Sequence, residues 1–261
     1  MTKAIVAFDL DATLVNDDKQ ISTENQQALQ ALRANDCLPV IATGRDRLEI
    51  ADIIVTGQFE AIVSANGADV YLAGDQLFED SLAASVLRDL AAWTTENAIS
   101  FAVSNHDGMA ISQIDDLVRL NYQRIHRPLP TVNATYFQQR AITKALTFID
   151  ETPAGQQLEA TLQAKFPTIT FYRNSDICID VVANGTTKAS GIATLQTQAD
   201  LAAVPVYTFG DGYNDVSMLQ SADVGIAMGN ADLAVQQQAN YVTRRYDDHG
   251  IVTALQHFKL I

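Results

Sequence analysis

Asp9 and Asp11 stand two residues apart in Phe8-Asp9-Leu10-Asp11-Ala12-Thr13-Leu14, directly behind an apolar run. A second oxygen-rich group, Asp211, Asn214 and Asp215, follows another apolar run and is flanked by Gly210 and Gly212. Four carboxylates drawn together would repel one another and raise some of their pKa values. A divalent ion offsets that repulsion. The oxygens of Asp9, Asp11, Asp211 and Asp215 suit Mg²⁺, which favours octahedral oxygen coordination and retains several waters. No twelve-residue helix–loop–helix ligand pattern surrounds these acids, which disfavours Ca²⁺, and no Cys/His cluster is present for zinc. Either Asp alone could be a solvated loop residue or a helix cap. Two at this spacing behind a buried strand have the rigid support that functional groups need.

Two further groups point to phosphate. Thr43-Gly44-Arg45 follows the apolar Leu38–Ala42, and the pattern predicts a helix from there through Val55. A hydroxyl and backbone donors at a helix start suit a phosphoryl group. Lys188, near the start of the helix after Gly185-Thr186-Thr187, supplies a cation for phosphate oxygens or for the crowded carboxylates. Gly44 could equally tighten a turn, and a lone lysine is ordinarily a surface residue. Arg45, next to Asp46, fits a phosphate clamp or a structural ion pair.

These residues need elements to position them. Lys3–Asp9, Leu38–Ala42 and Ala61–Ala65 read as buried strands, with a helix over Thr23–Asn35 capped by Ser22 or Thr23. Strands of this kind alternating with helices indicate an α/β layer with a mostly parallel, Rossmann-like sheet. The rhythm then changes. A helix over Ser81–Glu96 precedes strands Ile99–Ser104 and Met109–Ser112, joined by a turn containing Asp107-Gly108. A helix over Thr152–Lys165 precedes strands Thr168–Arg173 and Asp176–Val182, with Asn174-Ser175 as their turn. After Asn184-Gly185 the α/β pattern resumes with a helix at Thr187–Thr197, strands at Val204–Phe209 and Val224–Met228, and helices at Ala231–Ala239 and Asp248–Phe258. The expected organisation is one α/β core from residues 1–81 and 185–261, with an α+β domain inserted at 82–184.

The 261 residues carry a net charge of −14, which makes a nucleic-acid backbone an improbable partner. The insertion holds eight Lys or Arg against ten Asp or Glu, and the remainder nine against twenty-one. No apolar run reaches the length of a membrane span, and Asp9 interrupts the first apolar stretch too early for a signal peptide. Cys37 and Cys178 lie in separate apolar segments and read as buried thiols, so a reducing cytoplasm is the expected location.

Taken together, these motifs closely resemble those of the haloacid dehalogenase (HAD) superfamily, in particular its Cof-type hydrolases with an inserted α/β cap. Asp9-Leu10-Asp11-Ala12-Thr13-Leu14 resembles the nucleophile loop and Thr43-Gly44-Arg45 the hydroxyl motif. Lys188 matches the family lysine, and Gly210-Asp211-Gly212-Tyr213-Asn214-Asp215 the acidic metal loop. Ser64-Ala65-Asn66-Gly67-Ala68 and the stretch from Ala222 to Ala231 extend the likeness over essentially the whole chain. Ala12 and Ala189 stand where the family commonly has glycine, and the Ala12 methyl group would be strained if its φ were positive.

The resemblance implies a magnesium-dependent phosphatase. Asp9 would be the nucleophile that forms an aspartyl phosphate, and Asp11 the proton donor, with its carbonyl available to the metal. Asp9, Asp211 and Asp215 would hold Mg²⁺ directly or through water. Thr43, Gly44, Lys188 and Asn214 would address the phosphoryl group. In the cap, His106, Arg119, Arg124, His126, Arg127 and Arg173 are the candidate substrate contacts. The implied partner is a small phosphorylated metabolite, a sugar phosphate before flavin mononucleotide, pyridoxal phosphate or nucleoside phosphates. No nucleic acid, membrane or obligatory protein partner is implied. A phosphomutase, a dehalogenase and a non-enzymatic phosphate binder are the competing classes. The retained Asp9 and Asp11 argue against simple binding, and the full magnesium-and-phosphate set against dehalogenation.

Overall fold

The computed structural model describes residues 2–125, 127–197 and 201–261. The chain divides into two compact units, one made of residues up to Glu79 together with Thr187–Ile261, the other of Asp80–Thr186.

The first unit opens with β1 (Ala4–Phe8), whose five residues are all buried. Val6 and Phe8 enter one core and Ile5 and Ala7 another, so the strand is covered on both faces. It continues through α1 (Thr23–Ala34), β2 (Cys37–Ala42), α2 (Ala51–Gly57), β3 (Ala61–Ser64), β4 (Asp69–Leu72) and β5 (Asp75–Glu79). The second unit comprises α3 (Ala84–Glu96), β6 (Phe101–Asn105), β7 (Gly108–Ile111), α4 (Asp116–Arg124), β8 (Thr131–Val132), β9 (Lys144–Thr147), α5 (Pro153–Lys165), β10 (Ile169–Ser175) and β11 (Cys178–Ala183). The first unit then resumes with α6 (Lys188–Gln196), β12 (Val206–Gly210), α7 (Val216–Ser221), β13 (Val224–Ala227), α8 (Leu233–Gln236), β14 (Tyr241–Val242) and α9 (Gly250–His257).

Its sheet has the order β14-β13-β12-β1-β2-β3-β4-β5. Every pair from β14 to β3 is parallel. β1 is the switch point, with β2 on one side and β12, almost 200 residues later, on the other. In open α/β sheets the crevice beyond the carboxyl ends of such strands is the usual seat of chemistry. The terminal β3–β4–β5 ribbon is antiparallel; the sequence reading includes β3 but not β4 or β5. β5 is mostly exposed, so it carries no apolar run to read. The helix expected from Thr43 to Val55 is also corrected. Thr43–Asp46 is a loop, Arg47–Ile50 is a 3₁₀ turn, and α2 begins only at Ala51.

The second unit has a mainly antiparallel sheet in the order β10-β11-β9-β6-β7-β8. α5 is capped by the Thr152 hydroxyl and opens on Pro153. The expected Asn174-Ser175 turn belongs to strand β10, and the chain reverses at Asp176-Ile177. α4 and β9 were not read from the sequence, although β9 lies between β11 and β6. The compact unit extends two residues beyond 82–184 at each end. The Thr186 hydroxyl donates to Asp80 at 2.5 Å and the Tyr172 hydroxyl to the Thr186 carbonyl at 3.1 Å, tying both ends into it. Cys37 and Cys178 are free, buried thiols. Among the described residues no helix is long and apolar enough to cross a membrane.

α6 lies against β3 and the Ala65–Gly67 turn through two glycines. Gly67 has φ +106°, and a Cβ there would sit 2.0 Å from the Thr187 carbonyl oxygen. A Cβ on Gly191 would come within 2.4 Å of Val63 Cγ1 and 3.0 Å of the Gly67 Cα. Gly191→Ala should therefore destabilise the protein by about 1–2 kcal/mol despite its better helix propensity. A lowered urea midpoint with an unaltered slope is the expected result; a stabilised variant would show that α6 has room to retreat.

Candidate active site

Asp9 follows β1, and its backbone N–H donates to the Phe209 carbonyl of β12 at 2.9 Å. The stacked rings of Phe8 and Phe209, 5.0 Å apart, lie directly beneath. These contacts leave the Asp9 backbone little freedom and set its side chain at the mouth of the sheet. Asp215 is reached from the other side of the switch point. Its Oδ2 accepts from the backbone N–H groups of Asp211 and Gly212, both at 2.9 Å, which folds the acidic loop around it. Gly210 leaves the space this needs, since a Cβ there would stand 2.5 Å from that of Asp215.

Between them lies Lys188, only 1% exposed. Its Nζ donates to Asp9 Oδ1 and Asp215 Oδ1, both at 2.6 Å. Burial alone would lower the pKa of this ammonium, but the two carboxylates outweigh it and hold Lys188 firmly charged. The cap of α6 supports this placement, with the Thr187 hydroxyl accepting from Ser190 N. Asp211 completes the group. Its Oδ1 accepts from the Thr13 hydroxyl at 3.0 Å and its Oδ2 from Asn230 at 3.3 Å.

Asp9, Asp211 and Asp215 present oxygens that all lie within 4.8 Å of one another. Opposite ligands of octahedral Mg²⁺ are about 4.2 Å apart, so a closure of about half an ångström at most would bring this hard, all-oxygen set onto that ion. Lys188 takes only one oxygen of Asp9, and both Asp215 oxygens are already engaged. Both oxygens of Asp211 likewise accept hydrogen bonds, so the three carboxylates together are the residues that could hold the ion. The electrostatics agree. Burial, then the neighbouring Asp215, raises Asp9 well above the ordinary range despite Lys188. The same two causes push Asp211 up to about 7. One ammonium does not neutralise three carboxylates.

Asp11 is separate from that group. Arg45 grips its carboxylate in a fork, Nε to Oδ2 at 2.8 Å and Nη2 to Oδ1 at 2.6 Å, and Lys19 Nζ adds a third bond to Oδ1 at 2.7 Å. Burial pulls Asp11 upward, but Arg45 and Lys19 together hold it below the usual carboxylate range. Arg45 therefore forms an ion pair with Asp11, 34 positions earlier in the chain. Among the described residues, the acids at the mouth of the sheet face Arg45 and Lys19 as well as Lys188.

Ala12 has φ 54°, a left-handed conformation that costs a residue with a Cβ about 1 kcal/mol. Asn230 holds it there by donating to the Ala12 carbonyl at 3.0 Å. Thr43 is 1% exposed, and its hydroxyl accepts from Arg45 N at 3.1 Å. The Thr43–Arg45 loop is pinned to the neighbouring turn by Asn66 N to Thr43 O and Ala65 N to Arg45 O. Gly44 lies in that loop, without the helix start expected there. Asn214 Nδ2 donates to Asn66 Oδ1 at 3.1 Å, linking the acidic loop to that turn.

Among the described residues, the candidates in the inserted unit have separate surroundings. Arg173 is held by Glu159 and by the carbonyls of Ile149 and Ser175, a structural anchor. Arg124 pairs with Asp176 across the surface. His106 sits at an exposed turn 3.3 Å from Asp107, Arg119 is exposed on α4, and Arg127 is half-buried just beyond it. His126 lies outside the described residues. The residues the sequence reading missed are Lys19, Thr13 and Tyr246. Thr13 stood inside the nucleophile-loop motif without a role of its own; Lys19 and Tyr246 had no spacing signal, and Tyr246 lies some 230 positions from the loop it serves.

The sequence profile of the haloacid dehalogenase-like hydrolases matches residues 6–255. The chain belongs to that family. This HAD hydrolase is 26% identical over 259 residues to a 5-amino-6-(5-phospho-D-ribitylamino)uracil phosphatase of Bacillus subtilis, with 98% of this chain and 96% of that one covered. A Streptococcus pyogenes protein whose name joins a phosphatase to a peptidyl-prolyl cis-trans isomerase is 28% identical over 261 residues. That match takes in 98% of this chain and 54% of the relative, so the chain spans about half its length. Among solved structures, a HAD subclass IIB sugar phosphatase superposes with a TM-score of 0.84 at 26% identity, over 99% of this chain and 100% of that one. The HAD fold and the phosphatase class of this enzyme follow from the family match and these likenesses.

The raised carboxylates have a measurable consequence in metal-free protein. A carboxyl group with a raised folded-state pKa favours the native state when protonated, so its effect is lost as pH rises from the unfolded value towards the folded one. For Asp211 that window runs from about 4 to about 7. With chelator present, stability should fall as pH increases from 5 to 7, by at most about 1.4 kcal/mol per pH unit for one proton. Asp211→Asn should flatten this slope and stabilise the protein at pH 8. Urea titrations across that range decide it, and a slope that Asp211→Asn leaves intact would place the titration elsewhere.

Proposed function

We propose that this HAD hydrolase dephosphorylates small organic phosphate monoesters, sugar phosphates foremost, with Mg²⁺ and through an aspartyl phosphate on Asp9. The observation that carries the reading is Asp9 at the end of β1, tied by a buried Lys188 to Asp215 and within a metal ion's reach of Asp211. The likeness to a sugar phosphatase supports the substrate class.

A carboxylate attacks phosphorus only when ionised, and burial beside Asp215 opposes ionisation of Asp9. Lys188 supplies part of the compensation. Bound among the three carboxylates, Mg²⁺ would supply the rest and withdraw charge from the phosphoryl oxygens. Asp9 Oδ then forms the bond to phosphorus while the ester P–O bond breaks. Asp11, which Arg45 and Lys19 favour in its ionised form, must take up a proton from solvent or from the phosphate as the ester binds, and gives it to the departing oxygen. In the second half a water attacks phosphorus, Asp11 takes that water's proton, and the Asp9 carboxylate is released with inorganic phosphate. The Thr43 hydroxyl and the Gly44 N–H are assigned to the phosphoryl oxygens, together with Lys188. Asn214 orients the acidic loop. The inserted unit, nearly balanced in charge, is assigned the choice among organic groups.

Two measurements test this. Mg²⁺ should support release of inorganic phosphate from a panel of phosphorylated metabolites, and Ca²⁺, with its larger and looser shell, should inhibit it. Asp9→Asn keeps the size but removes the nucleophile, so rapid quench should find no phosphoenzyme with any substrate. Equal turnover after exhaustive chelation, or robust phosphoaspartate in folded Asp9→Asn, would overturn the assignment. An isomeric sugar phosphate in place of inorganic phosphate would make the enzyme a mutase.

Asp11→Asn separates the two carboxylates. An aryl phosphate leaves without protonation, whereas an alkyl or sugar alkoxide needs the proton as its bond breaks. The expected loss in kcat/KM is therefore at least tenfold greater for the alkyl ester. Equal losses, with chemistry limiting, would remove Asp11 from the donor role.

A further inference from the structure

We infer that Lys19 is a positioning residue for Asp11, held in place by the hairpin it tips; this deepens the phosphatase reading and rests on it. The Asp11 side chain is 43% exposed, and a carboxylate that open would ordinarily rotate freely. Here three N–H bonds fix it. The Arg45 fork sets the plane of the carboxylate, and Lys19 reaches Oδ1 from the far side of the loop.

The backbone around Lys19 is built for that reach. Lys19 has φ 60°, a conformation that glycine or asparagine adopts more cheaply than a lysine. The turn itself needs only the backbone: Lys19 N donates to Asn16 O at 2.9 Å and Asn16 N to Gln20 O at 3.0 Å. Nothing in that turn calls for an ammonium. Side-chain chemistry is what lysine adds, and its observed partner is Asp11. Left-handed residues with side chains are retained where the surrounding structure determines them, often at functional sites.

The hairpin is anchored at both ends. At its base, Val15 bridges Asp11 on one side and Ile21 on the other, and both apolar residues are buried. At its tip, Asp17 accepts from the Tyr246 hydroxyl at 2.7 Å. The Tyr246 backbone N–H donates to Asn230 Oδ1, and Asn230 in turn holds the Ala12 carbonyl and Asp211. The hairpin tip, the loop between the two N-terminal aspartates and the acidic loop therefore share one hydrogen-bond network. Lys19 approaches Asp11 from a fixed base.

An incidental surface ion pair contributes about 0–1 kcal/mol to stability and has no bearing on the leaving group. A positioning residue behaves differently. Lys19 favours the ionised carboxylate, so its removal makes Asp11 easier to protonate and any loss must come from placement. Proton delivery tolerates about 0.5 Å of misplacement, so loosening Asp11 penalises esters whose leaving group needs the proton. Lys19→Met should lower kcat/KM for an alkyl phosphate about tenfold, through kcat rather than KM, and for p-nitrophenyl phosphate by threefold at most. Lys19→Arg should recover most of the alkyl rate. In an Asp11→Asn background Lys19→Met should add less than twofold, because the group it positions is already gone. Thermal melts confirm that each variant is folded. Equal losses for the two ester classes, or a full tenfold loss added to Asp11→Asn, would overturn the role while leaving the phosphatase reading intact. A wild-type enzyme without activity on any phosphate monoester would remove both.

Discussion

A buried ammonium must be paired, and Lys188 can be paired only if three separate parts of the chain meet at one point. Its nitrogen bonds to Asp9 at the end of β1 and to Asp215 in the loop after β12. The helix that carries it, α6, must therefore dock with its first turn over the carboxyl ends of those strands. Removing one partner from such a set would leave a charge uncompensated in the interior, a loss of several kcal/mol. The glycines at 67 and 191 belong to the same requirement, because a side chain at either would push α6 away from β3. The fold and the site thus have a common determinant.

Around that pair the charges are sorted by depth. Three carboxylates with one ammonium form an inner group that is short of positive charge, and its raised pKa values express the deficit. One carboxylate with two cations forms an outer group that is short of negative charge, and Asp11 is correspondingly held below the ordinary range. An anionic ester and a divalent cation would between them complement both groups. The two N-terminal aspartates, chemically identical and two residues apart, are differentiated by what surrounds them.

Backbone strain collects in the same place. Ala12, between the aspartates and their loop, and Lys19, at the tip of the following hairpin, both take left-handed conformations. Asn230 and Tyr246 stabilise them from the opposite end of the chain. The loop is held by long-range hydrogen bonds rather than by local propensity, which keeps the Asp11 carboxyl on the Arg45 side, apart from the inner group.

Much of this was legible in the sequence because short-range rules apply to it. Apolar runs ending in acids marked β1 and β12 as covered strands, and Ser22, one of two candidate caps, announced α1. The motifs around Asp9, Thr43, Lys188 and Asp211 identified the family. What no local pattern carried was decided by tertiary structure. β5 is exposed and β9 too short to show a period, so sheet pairing alone defines them. The expected helix at Thr43 gave way to a loop pinned by Ala65 and Asn66. Arg45 and Lys19 carry charges that any carboxylate could satisfy, and sequence cannot rank partners 8, 34 or 200 residues distant. Their choice of Asp11 was made by chain geometry, since Coulomb attraction selects among groups only after the backbone has brought them within reach.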